Sequence, residues 1–156
     1  MKQKVAIFIE RLREGKVQTI DETLDPAFLD IDEKDIGFKS PIVLSGEAYL
    51  AEDWLIVRLK IETQATLVCA VCNDSFPFHL HIDDLTHQEP LENIRDSTYD
   101  LLPLIRETIL LEVPFYPQCG FSECKNRKEI EKYIKKEPVK EPDKKINGHK
   151  PFQELL

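Results

Sequence analysis

Glycine is scarce, with five residues in 156. None falls in a G-x-G-x-x-G or Walker-type pattern, so the sequence has neither of the glycine-rich loops that cradle nucleotide phosphates. Long apolar runs are missing too. Nothing approaches the ~20 residues that a helix needs to cross a bilayer, which excludes a helical span. The opening "MKQKVAIFIERLREG" holds two lysines and then five apolar residues before Glu10 and Arg11. That is too little for a signal-peptide core, so the expected location is cytoplasmic. Positive charge is short over most of the chain. Residues 1–115 carry 11 Lys+Arg against 22 Asp+Glu, whereas residues 116–156 carry 10 against 7. A body this acidic repels phosphate backbones, which argues against broad electrostatic capture of nucleic acid.

What is present suits one core. Apolar residues make up 42% and charged residues 32%, as in ordinary globular domains. Pro41 opens the clearest region, "PIVLSGEAYLAEDWLIVRLKIETQATLVC", two strands separated by Ala51-Glu52-Asp53. Leu55, Val57, Leu59 and Ile61 alternate with Ile56, Arg58, Lys60 and Glu62, a period of two that turns one apolar face inward. Phe76, Phe78, Leu80 and Ile82 alternate with Pro77, His79 and His81 in the same way. "KVAIFIE" reads as a further strand, with Gly15 in the turn beyond it. Closely spaced strands of this kind make antiparallel hairpins, because parallel pairs need long crossovers.

From about residue 99 the period changes to that of a helix. In "YDLLPLIRETILLEVP", Leu101, Leu104, Ile105, Thr108 and Leu111 form an apolar stripe, widened by Leu102, Ile109 and Val113. Asp100 suits the start, Pro103 is tolerated in the first turn, and Pro114 stops the helix. The expected fold is α+β, a small antiparallel sheet of hairpins with one main amphipathic helix packed on it. The domain should span residues 1–124. Residues 125–156 read as a flexible basic tail, too poor in apolar residues to offset its chain entropy, ending in the apolar "PFQELL".

The four cysteines fall in two pairs. Cys69 and Cys72 are spaced C-x2-C at the end of a predicted strand, and Cys119 and Cys124 are spaced C-x4-C just past the helix. In an intracellular chain such cysteines are thiols or metal ligands rather than disulfides. Two pairs with none to spare can complete the four-thiolate shell of a structural zinc knuckle, with no open position for catalysis. Four ordinary thiols without an ion, and an iron–sulfur or redox centre, remain as alternatives. A redox dithiol is favoured by a helix N-terminus that lowers its pKa, and here the first pair follows a strand. His79, His81 and His87 cluster in sequence, but His79 and His81 share one face of a strand and read as solvent-facing, with metal binding by the cluster the lesser reading. Asp83, Asp84 and Glu89 have no accompanying nucleophile, and no enzyme activity is expected.

The succession of "CAVCNDSFPF", an acidic region, "YDLLPLIRETILLEVPFYPQC" and a terminal "KPFQELL" resembles the bacterial YceD-like family, the large-ribosomal-RNA-subunit accumulation proteins. In that family a C-x2-C knuckle and an aromatic strand precede a helix of pattern D-L-x2-L-x2-E-x-L-x-L-x-x-P. A proline-rich segment with further cysteines follows, and a short Pro-Phe or Pro-Arg motif ends the chain. The likeness covers roughly residues 40–124 and the last seven, and Cys69, Cys72 and the helix ending at Pro114 carry most of it. It implies a non-enzymatic ribosome-biogenesis factor supporting 23S rRNA accumulation or large-subunit assembly. Its partner would be a ribosomal protein or rRNA of that subunit. The charge distribution favours a basic protein as the direct contact, with any RNA contact left to the tail. Two other readings stay open: a zinc-stapled interaction module unrelated to ribosomes that docks through "PFQELL", and a thiol-redox protein. Neither a membrane nor a small-molecule substrate is expected.

Overall fold

The computed structural model describes residues 3–120 and 124–133. In chain order, strand β1 (Ala6–Phe8) runs into the short helix α1 (Ile9–Arg13), followed by β2 (Gln18–Leu24) and a 3-10 turn at Pro26–Leu29. Then come β3 (Ile36–Phe38), β4 (Ile42–Ala51), β5 (Trp54–Val68), β6 (Ser75–Pro90) and β7 (Thr98–Asp100). Helix α2 (Leu102–Glu112) and the single-turn α3 (Arg127–Glu131) complete the described elements. The fold is α+β with antiparallel sheets. Most of the tail expected over 125–156, including "PFQELL", lies outside the described residues.

β5 is the centre because from Val57 onward every second residue is buried, Ile56 being the one buried residue of the opposite parity. Leu55, Val57, Leu59, Ile61, Thr63, Ala65 and Leu67 are all buried, and the intervening Arg58, Lys60, Glu62, Gln64 and Thr66 are exposed. One edge pairs with β6 from Trp54↔Pro90 to Val68↔Ser75. The other edge pairs first with β4 and then, over Ala65–Leu67, with β3. β2 extends the sheet beyond β4. Thr63 is the polar residue on this inner face, and its hydroxyl proton is shared between the carbonyls of Pro41 (3.3 Å) and Ser40 (3.5 Å). Its burial therefore leaves no orphaned oxygen.

β6 runs farther than the alternation in "FPFHLHI" suggests, because a bulge resets its pattern. Leu59 pairs with Leu85 and Ile61 with Ile82, so Asp83 and Asp84 together face Lys60. The extra residue moves the half-buried positions from Phe76, Phe78 and Ile82 to Leu85, His87 and Glu89. Without it, a one-residue slip would turn these side chains to the wrong face.

Gly46 sits opposite Leu59 in the β4–β5 ladder. A Cβ there would collide with the carbonyl oxygen of Arg58 and lie 2.9 Å from its carbonyl carbon and 3.0 Å from Leu59 Cα. The two backbones come close enough that only hydrogen fits between them.

The N-terminal strand is shorter than "KVAIFIE" suggests. It stops at Phe8, and Ile9 and Leu12 are buried from the first turn of α1. β1 pairs with β7, Ile7 facing Tyr99, in a second two-stranded sheet. Gln18 ties this ribbon to the main sheet: its carboxamide accepts from the Phe8 amide and donates to the Ala6 carbonyl, both at 3.0 Å. One side chain thereby stands in for a neighbouring strand. A second link is the 3.0 Å hydrogen bond between His87 Nε2 and the Tyr99 hydroxyl.

α2 packs into the same core through Ile105 and Ile109, joined by its N-cap Leu101, and all three are buried with Ile7, Leu44, Ile61 and Leu80. Asp100 accepts from the Leu102 amide at 3.1 Å, satisfying one orphan donor of the first turn. Arg106 Nε donates to the Leu29 carbonyl at 2.9 Å. Leu111, placed in the inward stripe by its spacing, is instead 77% exposed. At 100° per residue, the Leu101–Ile105–Ile109 face has rotated past it.

Candidate metal centre

The thiol site begins as a continuation of β5. Cys69 keeps the parity of the buried positions before it: Ala65, Leu67 and Cys69 are each 0% exposed. The strand thus delivers its sulfur to the inner face at the sheet's end. The chain then reverses through a tight loop. Asn73 donates its amide to the Cys69 carbonyl (2.9 Å), and the Cys69 amide donates to Asp74 O (2.9 Å). Asn73 takes a left-handed φ of 60°, a conformation that asparagine tolerates better than most residues. The Val71 amide points at Cys69 Sγ from 3.4 Å.

The second pair arrives from the end of α2. Pro114 prevents the helix from continuing, and Val113 is already extended. The following segment is pinned to the first loop by the Ala70 amide, which donates to the Pro117 carbonyl at 2.8 Å. That bond carries Cys119 to within 3.8 Å, sulfur to sulfur, of Cys72. Gly120 follows with φ +113°, a backbone turn that a side chain would strain. Cys124 returns to the cluster and is 7% exposed. Beyond it, Lys125 Nζ lies 3.2 Å from Asp74 Oδ2 and Arg127 Nη2 donates to Gln118 Oε1 at 2.7 Å. These links are solvent-exposed, so they orient the segment more than they hold it.

All four sulfur atoms lie within 4.8 Å of one another. A tetrahedral ion with metal–sulfur bonds near 2.3 Å needs thiolates about 3.8 Å apart, so the Cys72–Cys119 separation already matches and the others require only small closure. All four cysteines are free thiols. The two pairs expected from the sequence do meet, and the cluster can hold a metal ion.

Electrostatics set Cys69 apart from Cys72 and Cys119. The amide of Cys72 leads a set of N–H donors that hold the Cys69 thiol down at about 6, against the opposing effect of burial. Cys72 is raised: the Asp74 amide pulls it down, but burial and the Cys69 and Cys124 thiols outweigh that pull. Cys119 is pushed up to about 12, first by burial and then by the neighbouring thiols. A lowered Cys69 beside a raised Cys72 and Cys119 is what a crowded ligand set looks like before a cation neutralises it.

No protein-family model, curated protein or solved structure matches this chain. What the site can do follows from its own geometry.

Elsewhere the polar residues are occupied differently. His79 and His81 are exposed, as their alternation implies, and His81 lies between Glu62 (3.2 Å) and Asp83 (2.6 Å). His87 faces the other way because of the bulge, near Tyr99 and Glu89. Asp84 accepts from Thr86 and Glu89 from Asn93. Among the described residues, the cysteines form the one group of three or more metal-ligating types gathered this closely. Sequence spacing missed the Ala70–Pro117 bond that brings the pairs together. The turn-prone Asn73 and the Cys119-Gly120 step were its visible signals.

Proposed function

We propose that the chain is a non-enzymatic factor of large ribosomal subunit assembly, stapled by one structural zinc ion bound to Cys69, Cys72, Cys119 and Cys124. The observation that carries the reading is the convergence of the four sulfurs, because it joins the two segments on which the YceD-like resemblance rests. Zinc suits a closed tetrahedral set of thiolates, and four protein ligands leave no position for a reacting water. An iron–sulfur cluster spreads its thiolates over several irons and would need them farther apart than 4.8 Å allows. A catalytic thiol-redox role would use the acidic Cys69, yet that sulfur is fully enclosed, and a catalytic nucleophile must be reached by its substrate.

The partner we favour is a basic ribosomal protein. Phe115 and Tyr116 are 98% and 81% exposed immediately beside the thiol site. Phe115 borders a cleft of about 330 Å³ that Glu33 and Asp35 also line. An aromatic anchor next to two carboxylates complements a basic chain bearing an apolar side chain. Copurification from the native bacterium, followed by nuclease treatment, tests this. A large-subunit ribosomal protein should remain bound after RNA digestion. Phe115→Asp should weaken its retention at least tenfold while leaving the melting temperature unchanged. Loss of all ribosomal components on digestion would defeat the reading. A bound protein unrelated to ribosomes, with normal rRNA levels in a deletion strain, would favour the interaction-module alternative.

A further inference from the structure

The four thiols are not equally reachable, and the difference selects a pair. Cys69 and Cys124 are buried, whereas Cys72 and Cys119, one from each pair, are partly open to solvent. These two sulfurs are also 3.8 Å apart. Cys69 is further restrained by both backbone hydrogen bonds of its loop and by the Val71 amide on its sulfur. We propose that Cys72 and Cys119 form a peroxide-sensitive disulfide site, so that oxidation replaces a metal staple with a covalent one between the same two segments. The inference requires neither the ribosomal role nor a particular ion.

The chemistry balances with hydrogen peroxide as oxidant. The thiolate form of one partly open cysteine, its proton given up to solvent, attacks the peroxide, giving a sulfenic acid and a hydroxide that takes that proton to become water. The other thiol displaces the sulfenic hydroxyl, forming the sulfur–sulfur bond and releasing a second water. Two thiols are oxidised by two electrons in total, and one peroxide is reduced. A metal held by all four sulfurs would lose half its ligands. The new bond crosses from the β5–β6 loop to the segment after α2, so it keeps closed what the ion had closed. Oxidation within either the C-x2-C or the C-x4-C pair would leave the two segments unconnected.

Peptide mapping separates these outcomes. Trypsin releases Cys69 and Cys72 together in residues 61–95, and Cys119 and Cys124 together in residues 107–125. Full-length protein, both zinc-loaded and chelator-treated, is exposed to hydrogen peroxide, alkylated with N-ethylmaleimide under denaturing conditions and digested. The expected product is the two fragments joined, with alkyl groups on Cys69 and Cys124. Oxidised, metal-free protein should melt on the order of 10 °C above reduced, metal-free protein, because the bond closes a long loop. Separate fragments carrying internal disulfides, or a joined product that melts no higher, would overturn the proposal. The chelator-treated arm reports on the cross-link even where zinc binding itself fails.

Discussion

Cys72→Ser should abolish metal binding and free the segment after α2 from the sheet without unfolding the sheet itself. Structural zinc sites in small peptides contribute about 10–16 kcal/mol of binding free energy, which there is the folding free energy. Here the effect is confined, because the main core of β1, β2, β4, β5, β6 and α2 is assembled from residues other than the cysteines. The melting temperature should fall by on the order of 10 °C, and zinc should drop from one atom per chain to none. Amide exchange at Ala70, whose proton is held by the Pro117 carbonyl, should accelerate at least a hundredfold. Cys119→Ser should behave alike, since the pairs share one site. Full zinc retention in either variant would refute a shared centre. Acid gives the same result by another route. Cys72 and Cys119 hold their protons more tightly than ordinary thiols, so metal must displace both near neutrality. Affinity should therefore fall roughly a hundredfold for each unit the pH is lowered, from these two protons alone.

Gly46→Ala should be nearly as damaging, though it adds one methyl group far from any ligand. That carbon would meet the Arg58 carbonyl and Leu59 Cα, which belong to the backbone of the central strand and cannot rotate away. Overpacking typically costs about 1–3 kcal/mol, and a collision with backbone belongs at or beyond the upper end. For a chain of this size that corresponds to a melting point lowered by roughly 6–12 °C, with Gly46→Val worse. Gly37→Ala supplies the control. It also lies in a strand, β3, but nothing stands within 4 Å of the added carbon. Thermal melts of the two variants should differ sharply, and equal shifts would rule out close backbone approach as the reason for Gly46.

The inner face of β5 was legible because its buried positions recur at every second residue from Val57 to Cys69. The same alternation made the first cysteine pair recognisable as the end of a strand. β6 was less legible, since the bulge at Asp83-Asp84 breaks a period that extrapolation assumes is continuous. Its trace in the sequence is the change of apolar parity between Ile82 and Leu85. Leu111 misled because several rotations of a helix accommodate an apolar-rich stretch, and only the sheet chooses between them. The β1–β7 ribbon was invisible, as its partners are short and lie at opposite ends of the domain. Cysteine spacing indicated a soft-metal ligand set. Its closure depended on a backbone hydrogen bond, which leaves no mark in residue type.

That ribbon has a consequence for kinetics. The β4–β5 and β5–β6 hairpins join neighbours in sequence, whereas Ile7 must find Tyr99 across 92 positions. Loop closure makes such distant contacts slow to form, so the ribbon should assemble after the rate-limiting step. Ile7→Val should then leave the refolding rate nearly unchanged and hasten unfolding, whereas Ile61→Val should retard refolding. Stopped-flow chevrons distinguish the two, and slowed refolding for Ile7→Val would mean that β1 and β7 meet early. On this ordering β1, made before every other strand of this domain, is the last of them to find its place.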